Sequence, residues 1–510
     1  MFGDSEVFAL PKKLLLHKWF ACLFIALVLV PGSFVPAKAQ KEAPLLTIGV
    51  GRDFYDGPDS RSFLHGSTNT WEGLTYLDEN LRAVPWLAES WQARDNQKTW
   101  IFKLRPKVFF HDKTPLSAAD VKKSLERIWK NPKYDPTGNY RQVSDILAPD
   151  DHTLIVRTKE PCPNLPNLLA YYSSPILKTG TYDSKGRISR LIATGPFKVA
   201  NIKPGQRVEL EAFEDYWGKK PVYQRVVFKS VIDAQTRLMA LMAGEVDAVA
   251  DVGAILPEQA GELKAAPGIN LKQKQVATTH YLLFNCGKKP FSKGECRHWL
   301  AGLLNRKELV EILAQGTGYV AQSPFTPLAA DWVFKKINPQ EGKKLKPAVK
   351  RPLVILLHGG TLQRWPYLSM AQVLQQRLSQ EGVKSKIKVL EAGGYYRALN
   401  KGGFDLALQP NTLMTGDPDF FYTYYFASNG ARNTGLKDPL TDGLLARARI
   451  ETDFKKRQSL YEQIEERFNK LLPLLPLYHE ISLYGHGPKV ALFEMDHNFR
   501  PCLSMARPRP

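Results

Sequence analysis

Residues 99–129 read TWIFKLRPKVFFHDKTPLSAADVKKSLERIW and contain a strand, a break and a helix within one short span. Trp100 and Phe102 begin an alternation of apolar and less apolar positions, which is the two-residue period of a strand with one buried face. Ser117 precedes the helical pattern and can cap it, while Asp120 lies near the positive end of the helix dipole. The stretch therefore predicts a compact α+β unit without chemistry of its own.

The N-terminus has the pattern of a secretory signal. Basic residues precede an apolar run over residues 19–30, and an A-x-A site ends at Ala39. The run is shorter than the roughly 20 residues that a bilayer-spanning helix requires, which disfavours an uncleaved anchor. We therefore predict a signal peptide over residues 1–39, cleaved after Ala39, and a mature chain that is exported, soluble and periplasmic.

Length and composition are those of a globular protein with several domains. The chain has 510 residues, 44% of them hydrophobic and 24% charged, and a formal net charge of +20. A chain of this length favours two or three domains. The Lys and Arg residues are scattered rather than clustered, so we interpret the positive charge as a solvated surface and predict no nucleic-acid partner.

Four cysteines remain after cleavage, which permits two disulfides with three possible connectivities. Cys286 and Cys296 bracket a loop rich in Gly, Lys and Pro, and we predict that they form a pair. Cys162 and Cys502 are the other two. The sequence has no CxxC motif, so a thiolate metal site is not predicted.

After Pro290, strand and helix patterns alternate, which indicates an α/β fold. Residues 297–316 (RHWLAGLLNRKELVEILAQG) predict one helix that ends at a glycine. Residues 440–472 predict two further helices with a break near Asp453. Before Pro290, short strands predominate; they are LLTIGV, TWIFKL, TLIVRT, VELEAF and VVFKSV.

Signals of catalysis are weak. LHGG at residues 357–360 is similar to the oxyanion loop of esterases, but the chain has no G-x-S-x-G motif, and a strand-to-loop turn is the favoured interpretation. His479 and Glu480 begin no H-E-x-x-H motif, because Leu483 occupies the position of the second His. We interpret His111 as part of a surface turn. No catalytic residue, cofactor or metal site is assigned, and an exported esterase remains only an outside alternative.

Residues 84–128 resemble the signature of the family 5 extracellular solute-binding proteins of ABC importers, which serve peptides, nickel and related solutes. Further motifs similar to this family follow in order over nearly all of the mature chain. They are residues 193–206 (ATGPFKVANIKPGQ), 214–221 (EDYWGKKP), 232–247 (IDAQTRLMALMAGEVD), 281–285 (YLLFN), 296–310 (CRHWLAGLLNRKELV), 416–421 (GDPDFF) and 451–464 (ETDFKKRQSLYEQI).

The resemblance implies an α/β, bilobed periplasmic-binding-protein fold with an additional inserted α+β domain. It implies lobe I at residues 40–75, 192–276 and 486–510, the inserted domain at 76–191 and lobe II at 277–485. Such a receptor is a monomer that closes by hinge motion around its ligand and docks on an inner-membrane ABC permease. It is not an enzyme.

Two ligand classes stay open. Peptide-binding members place an Asp three residues before Asp-Pro, where it pairs with a free α-amino group; here Met414 precedes Asp417-Pro418 at that spacing, and Asn411 replaces the usual upstream aromatic residue. Residues 248–263 (AVADVGAILPEQAGEL) are instead similar to the nickel-binding branch. We therefore expect a small peptide or peptide-like ligand, with nickel or a metal chelate as the alternative.

Candidate ligand-binding residues lie in segments that the resemblance places between the lobes. Their side chains include Arg donors suited to carboxylates, together with aromatic and acidic groups. They are Tyr55, Asp56, Arg61, His65, Tyr140, Arg141, Asn285, Met414, Asp417, Asp419, Phe421 and Tyr422.

Overall fold

A computed structural model describes residues 44–54, 68–131, 135, 138, 140–170, 174–185, 187–332 and 345–509. The predicted signal peptide over residues 1–39 lies outside these ranges. No helix of the described residues is both long enough and apolar enough to span a membrane.

The strands are short except for two that lie at the centre of the largest sheet. In chain order they are β1 (Leu45–Val50), β2 (Thr75–Leu77), β3 (Ala83–Pro85), β4 (Ala88–Arg94), β5 (Thr99–Leu104), β6 (Val143–Asp150), β7 (Thr153–Thr158), β8 (Phe197–Lys203), β9 (Arg207–Ala212), β10 (Arg225–Ser230), β11 (Ala248–Val249), β12 (Asn270–Phe284), β13 (Gly318–Val320), β14 (Leu353–His358), β15 (Ser385–Leu390), β16 (Leu406–Thr412), β17 (Leu474–His486), β18 (Val490–Leu492) and β19 (Arg507–Pro508).

The helices of the described residues lie mostly in the second half of the chain. They are α1 (Ala118–Trp129), α2 (Leu165–Leu168), α3 (Ala234–Met242), α4 (Ala260–Ala265), α5 (Gly294–Leu303), α6 (Arg306–Leu309), α7 (Tyr367–Gln380), α8 (Ala392–Asn400), α9 (Pro418–Tyr425), α10 (Pro439–Ile450) and α11 (Phe454–Leu471).

The main sheet joins strands from both ends of the chain. Its order is β15-β14-β16-β12-β17-β11-β1-β10-β9-β8, and β13 also pairs with β17. β1 is parallel to β10 and β11, and β14 is parallel to β15 and β16. Antiparallel β12 and β17 connect these two parallel parts.

β12 and β17 are the long strands, and their ladder is interrupted. Asn270 faces His486 at one end and Leu283 faces Leu474 at the other, with register shifts between Gln275 and Thr279 and again just after. Bulges of this kind bend a strand locally. The two strands therefore run from the β11 side of the sheet to the β16 side through an irregular middle.

A second, four-stranded sheet has the order β4-β5-β7-β6 and packs against α1. The alternation predicted around Trp100 and Phe102 is confirmed, because both side chains are buried in this core. The predicted cap is also confirmed: Ser117 Oγ accepts from the Asp120 amide at 3.3 Å, and the Asp120 carboxylate accepts from the Ser117 amide at 3.3 Å. Residues 99–129 thus form the centre of a separate hydrophobic core.

The other large hydrophobic clusters flank the main sheet. One packs β1, β8, β9 and β10 against the C-terminal segment, and two further clusters lie around β12, β14 and β16. Parallel strands such as β14 are buried on both faces, which explains its continuous apolar sequence LVILL. The division into two lobes and an inserted domain at residues 76–191 stays a prediction.

Most strand and helix predictions are confirmed, and one is wrong. The break near Asp453 is confirmed, since Asp453 caps α11. The single helix predicted over residues 297–316 is instead α5 and α6, followed by a π-helical turn. The break occurs because Leu304 is extended and Asn305 caps α6, accepting from the Glu308 amide at 3.2 Å. Asn favours such a cap over a helix interior.

The predicted disulfide between Cys286 and Cys296 is also wrong. The four cysteines of the described residues are free thiols. Cys286 and Cys296 are both buried in one hydrophobic cluster, and the Cys286 thiol donates to the carbonyl of Pro473 at 3.7 Å. These two side chains therefore serve as small apolar packing groups.

Candidate functional site

A cavity of about 540 Å³ lies at the carboxyl ends of β14 and β16. Side chains of α8 and α9 form another part of the wall, and residues that follow β1 and β11 form the opposite part. The wall residues are Arg52, Val252, His358, Gly360, Thr361, Arg364, Trp365, Ala392, Tyr395, Tyr396, Leu408, Gln409, Pro410, Asn411, Thr412, Met414, Phe420, Tyr424, Tyr425 and Arg432.

The sequence of the two strands explains why the cavity forms here. Leu356 of β14 and Ala407 of β16 pair in parallel register, so the two strands end at the same edge of the sheet. β16 changes at this edge from buried apolar residues to Gln409 and Asn411. In α/β sheets, ligands bind at the carboxyl ends of parallel strands.

Helix α9 contributes the aromatic part of the wall. Asp417 caps the helix by accepting from the amide of residue 419 at 3.0 Å, and Pro418 occupies the first helical position. Proline suits this position because its missing amide is not needed there. The helix then presents Phe420, Tyr424 and Tyr425 to the cavity.

A buried ion pair fixes α9. Asp417 is paired with Arg457 of α11 through two hydrogen bonds of 2.7 and 2.9 Å, and the two side chains are only 5% and 4% exposed. Arg457 also donates from Nε to the Ala448 carbonyl at 3.0 Å and lies over the Trp332 ring. Asp417 therefore positions the helix rather than facing the cavity.

Two neighbouring arginines lie where the opposite wall meets the segment after β14. Arg52 is paired with the buried Asp251, with Nε 2.8 Å from the carboxylate. Arg364 donates to the Gly51 carbonyl at 3.3 Å. Gly253 has a φ of +59°, and a Cβ there would lie 2.5 Å from the Cβ of Arg364. The segments after β1 and β11 thus contact the segment after β14, and a neighbouring cavity of about 240 Å³ shares both arginines.

Several wall residues present polar atoms that have no partner within the described residues. These buried atoms are His358 Nδ1, Gln409 Oε1, Asn411 Oδ1, the Tyr425 hydroxyl and Arg432 Nε. Buried polar groups in proteins are nearly always hydrogen-bonded. Five such atoms around one cavity are the arrangement expected of a polar ligand site.

Burial keeps two of these groups neutral. It lowers the pKa of His358 below its ordinary value, against the opposing charge of Glu391. It raises the pKa of the Tyr425 hydroxyl well above its ordinary value. At neutral pH, His358 can therefore accept or donate as a neutral ring, and Tyr425 retains its proton.

Of the residues predicted from sequence, Met414 lies on the cavity wall. Tyr55, Asp56, Arg61 and His65 lie outside the described residues. Met414 and its wall neighbour Asn411 are the two positions at which the sequence departs from the peptide-binding pattern. Both departures therefore concern this cavity directly.

The predicted residues of the inserted domain, and Asn285, lie elsewhere. The buried Tyr140 hydroxyl donates to the Leu168 carbonyl at 3.0 Å. Arg141 is exposed. The Asn285 side chain donates to the Phe404 carbonyl at 2.8 Å, which holds the end of β12. None of these three side chains is part of the cavity wall.

The predicted residues that follow Met414 have structural contacts. Asp419 is paired with Arg449 at 2.8 Å. Phe421 and Tyr422 are fully buried in the hydrophobic cluster around α9 and α11. Their helix neighbours Phe420, Tyr424 and Tyr425 line the cavity instead, so the correct segment was chosen but not the residues that face the cavity.

Most of the wall was not predicted. His358 and Gly360 belong to the LHGG stretch, which was interpreted only as a turn, and Arg432 was not among the candidates. The position of these residues at the ends of parallel strands could have indicated the site, because ligands of α/β proteins bind at the carboxyl ends of such strands. Arg364 carries no local signal at all.

Among the described ranges, no group of three or more His, Cys, Asp or Glu side chains could hold a metal ion.

The chain matches the family model "Bacterial extracellular solute-binding proteins, family 5 Middle" over residues 82–433. It is 27% identical over 446 residues to the dipeptide-binding protein of Escherichia coli (strain K12), covering 78% of this chain and 81% of that protein. It is 26% identical over 459 residues to heme-binding protein A of Haemophilus influenzae, covering 80% of each.

Solved structures share the fold. NikA from Brucella suis in complex with Fe(III)-EDTA is similar with a TM-score of 0.80 and 21% identity, covering 91% of this chain and 100% of that one. DppA from Helicobacter pylori in complex with the peptide STSA gives a TM-score of 0.74 and 21% identity, covering 90% and 96%. The predicted α/β, bilobed binding-protein fold is confirmed.

Proposed function

Because the chain belongs to the bacterial extracellular solute-binding proteins of family 5, we propose that it is the substrate-binding receptor of an ABC importer. It binds a short peptide or peptide-like solute and delivers it to an inner-membrane permease. It acts as a monomer and releases its ligand chemically unchanged. The relatives named as dipeptide-binding proteins support this ligand class.

The observation that carries the proposal is the cavity with its unpartnered polar atoms. Its volume of about 540 Å³ lies in the range of small-molecule sites. Neutral groups such as Gln409 and Asn411 can bond to the amides of a peptide backbone, and Phe420 and Tyr424 can pack against its side chains. A site of this kind recognises the backbone more strictly than the side chains.

The sheet topology supports a closing motion. One part of the cavity wall follows β1 and β11, and the other follows β14 and β16. These parts are joined by β12 and β17, whose ladder is interrupted between Gln275 and Thr279. Bending at this irregular region opens the cavity, and a ligand that contacts both walls favours the closed state.

A metal chelate is the second candidate. His358 and Met414 supply an imidazole and a thioether to the wall, and Arg364 and Arg432 can bind the carboxylates of a chelator. The structural relative that contains Fe(III)-EDTA supports this class. In this alternative the metal is cargo and arrives together with its chelator.

Export through a signal peptide over residues 1–39 places the receptor in the periplasm. The basic start, the short apolar run and the A-x-A site support this location. N-terminal sequencing of the protein exported by a bacterial host tests it: the mature chain is expected to begin at Gln40.

Isothermal titration of the stripped and refolded mature chain tests the ligand class. One panel contains dipeptides and tripeptides, each with a free and with an acetylated N-terminus, and a second contains Ni²⁺ alone and Ni²⁺ with histidine or citrate. The proposal expects binding within the peptide panel. Binding confined to the nickel panel selects the second candidate, and the absence of heat with both panels contradicts the receptor function for these ligand classes.

A cavity-filling variant shows whether binding occurs at this site. Asn411→Phe places a bulky side chain in the wall and is expected to abolish binding. Asn201→Phe makes the same substitution on the exposed surface of β8 and is expected to bind as the wild type does. Equal binding by the two variants would place the ligand elsewhere.

A further inference from the structure

The charged side chains of the described cavity wall are all positive. Arg52, Arg364 and Arg432 line it, and the described wall residues include no Asp, Glu or Lys. Asp251 neutralises Arg52 through their ion pair. Two guanidinium groups therefore remain to give the wall its net positive charge.

Arg432 is held between aromatic rings and has no ion-pair partner among the described residues. Its guanidinium carbon lies 4.8 Å from the ring centre of Tyr396 and 5.9 Å from that of Tyr424. Its Nη1 donates only to neutral oxygens, of Asn400 at 3.3 Å and Ala431 at 3.2 Å. Its Nε is buried and has no partner among the described residues. Stacking fixes the plane of the guanidinium, and one edge stays free for a planar acid group.

Arg364 is the second cationic group. Its hydrogen bond to the Gly51 carbonyl is neutral, and no described carboxylate lies within ion-pair distance. Burial lowers its pKa; Asp251 and Asp53 oppose this effect, and Arg52 adds to it. A guanidinium that is poorly solvated and lacks an ion-pair partner gains from an anion placed beside it.

The rest of the described wall offers no anionic group to a cation. Met414 is apolar, and His358, Gln409, Asn411 and Tyr425 are neutral. An ammonium group bound here would need an anionic partner to offset its desolvation, and the described wall supplies none.

We propose that this cavity selects anionic solutes, with a carboxylate bound by Arg432 and a second acidic or carbonyl group facing Arg364, and that it discriminates against solutes with a free ammonium group. This specificity rests on the receptor function proposed above. Within that function, the chemical class of the ligand becomes a carboxylate without a free α-amine, for example an N-blocked or cyclised peptide acid.

Four probes with one common backbone test the charge preference by titration. They are N-acetyl-Ala-Ala (anionic), Ala-Ala (zwitterionic), Ala-Ala amide (cationic) and N-acetyl-Ala-Ala amide (neutral). The anionic probe is expected to bind at least about tenfold more tightly than the other three, which is the typical effect of one charge-assisted contact.

Variants locate the contact. Arg432→Gln is expected to weaken binding of the anionic probe at least about tenfold. Arg432→Lys keeps the charge but loses the planar guanidinium, so it is expected to weaken binding less. Arg225→Gln removes the same charge from an exposed position in β10 and is expected to change nothing. Arg364→Gln gives an independent test if Arg432→Gln lowers the melting temperature.

The outcomes separate this specificity from the receptor function. Tighter binding of the zwitterionic or cationic probe, or unchanged binding of the anionic probe by both Arg432→Gln and Arg364→Gln, overturns the charge preference and leaves the receptor function intact. If the wild type binds none of the four probes and none of the peptide or nickel panels, both proposals are contradicted.

Discussion

Replacing Asp417 by Asn removes one charge from the buried pair that fixes α9 and changes almost nothing else. Asn keeps an oxygen that can cap the helix and accept one hydrogen bond, but Arg457 then remains buried and unneutralised. The two side chains are only 5% and 4% exposed, so water cannot solvate the remaining charge. Breaking such a pair destabilises proteins by about 3–5 kcal/mol.

Asp419→Asn is the matched control, because it removes the same charge two residues further along the same helix. Its partner Arg449 is 22% exposed and Asp419 itself is 18% exposed, so solvent screens part of the loss. We expect the control to lower the free energy of unfolding by roughly 1 kcal/mol, which is the upper end of the values for exposed ion pairs.

Urea unfolding, followed by circular dichroism and by tryptophan fluorescence, measures both variants. Asp417→Asn should also weaken ligand binding, because α9 supplies Phe420, Tyr424 and Tyr425 to the cavity wall. If Asp417→Asn lowers the free energy of unfolding by no more than Asp419→Asn does, the proposed role of the buried ion pair is refuted. Lost binding with unchanged stability would instead make Asp417 a ligand contact, as the sequence had suggested.

Three further predictions concern pH, backbone geometry and thiols. Burial raises the pKa of Glu72 to about 7, so its stabilising contribution is greatest in acid and is lost as the pH rises through 7. Glu72→Gln does not titrate, so the difference in unfolding free energy between wild type and this variant should shrink by about 2–3 kcal/mol between about pH 5 and pH 8. A difference that stays constant with pH would contradict this. Gly253→Ala should lower the free energy of unfolding by more than the roughly 1–2 kcal/mol expected of Gly244→Ala. Both glycines have positive φ, but only Gly253 lies against Arg364. Equal losses in thermal unfolding would refute the contact. Dithiothreitol should leave the melting temperature of the mature chain unchanged, and the mature chain denatured without reductant should titrate as four thiols. A count below four would indicate a disulfide.

The scaffold could be predicted from sequence where local chemistry determines it. The alternation from Thr99 to Leu104, the Ser117 cap and the break at Asp453 each depend on a few adjacent residues, and each is confirmed. The helix predicted over residues 297–316 was wrong because the cap at Asn305 interrupts an otherwise continuous apolar pattern.

The site was less predictable, because its residues meet only in three dimensions. Met414 was found through a departure from the pattern of peptide-binding members, which concerns a single position. Arg364 and Arg432 have no motif, and their role depends on where β14, β16 and α9 end relative to one another. Asp417 had a strong motif, yet its partner Arg457 lies forty positions away in sequence and determines its role.

The central claim is that this chain captures a small solute in the cavity at the ends of β14 and β16. Mass spectrometry of the solute released from chain purified without denaturation tests it most directly, with wild type and Asn411→Phe purified side by side. We predict that the wild type releases a small carboxylate-bearing solute in amounts close to one per chain, and that Asn411→Phe releases none. Release of the same solute in equal amounts from both proteins would contradict the account.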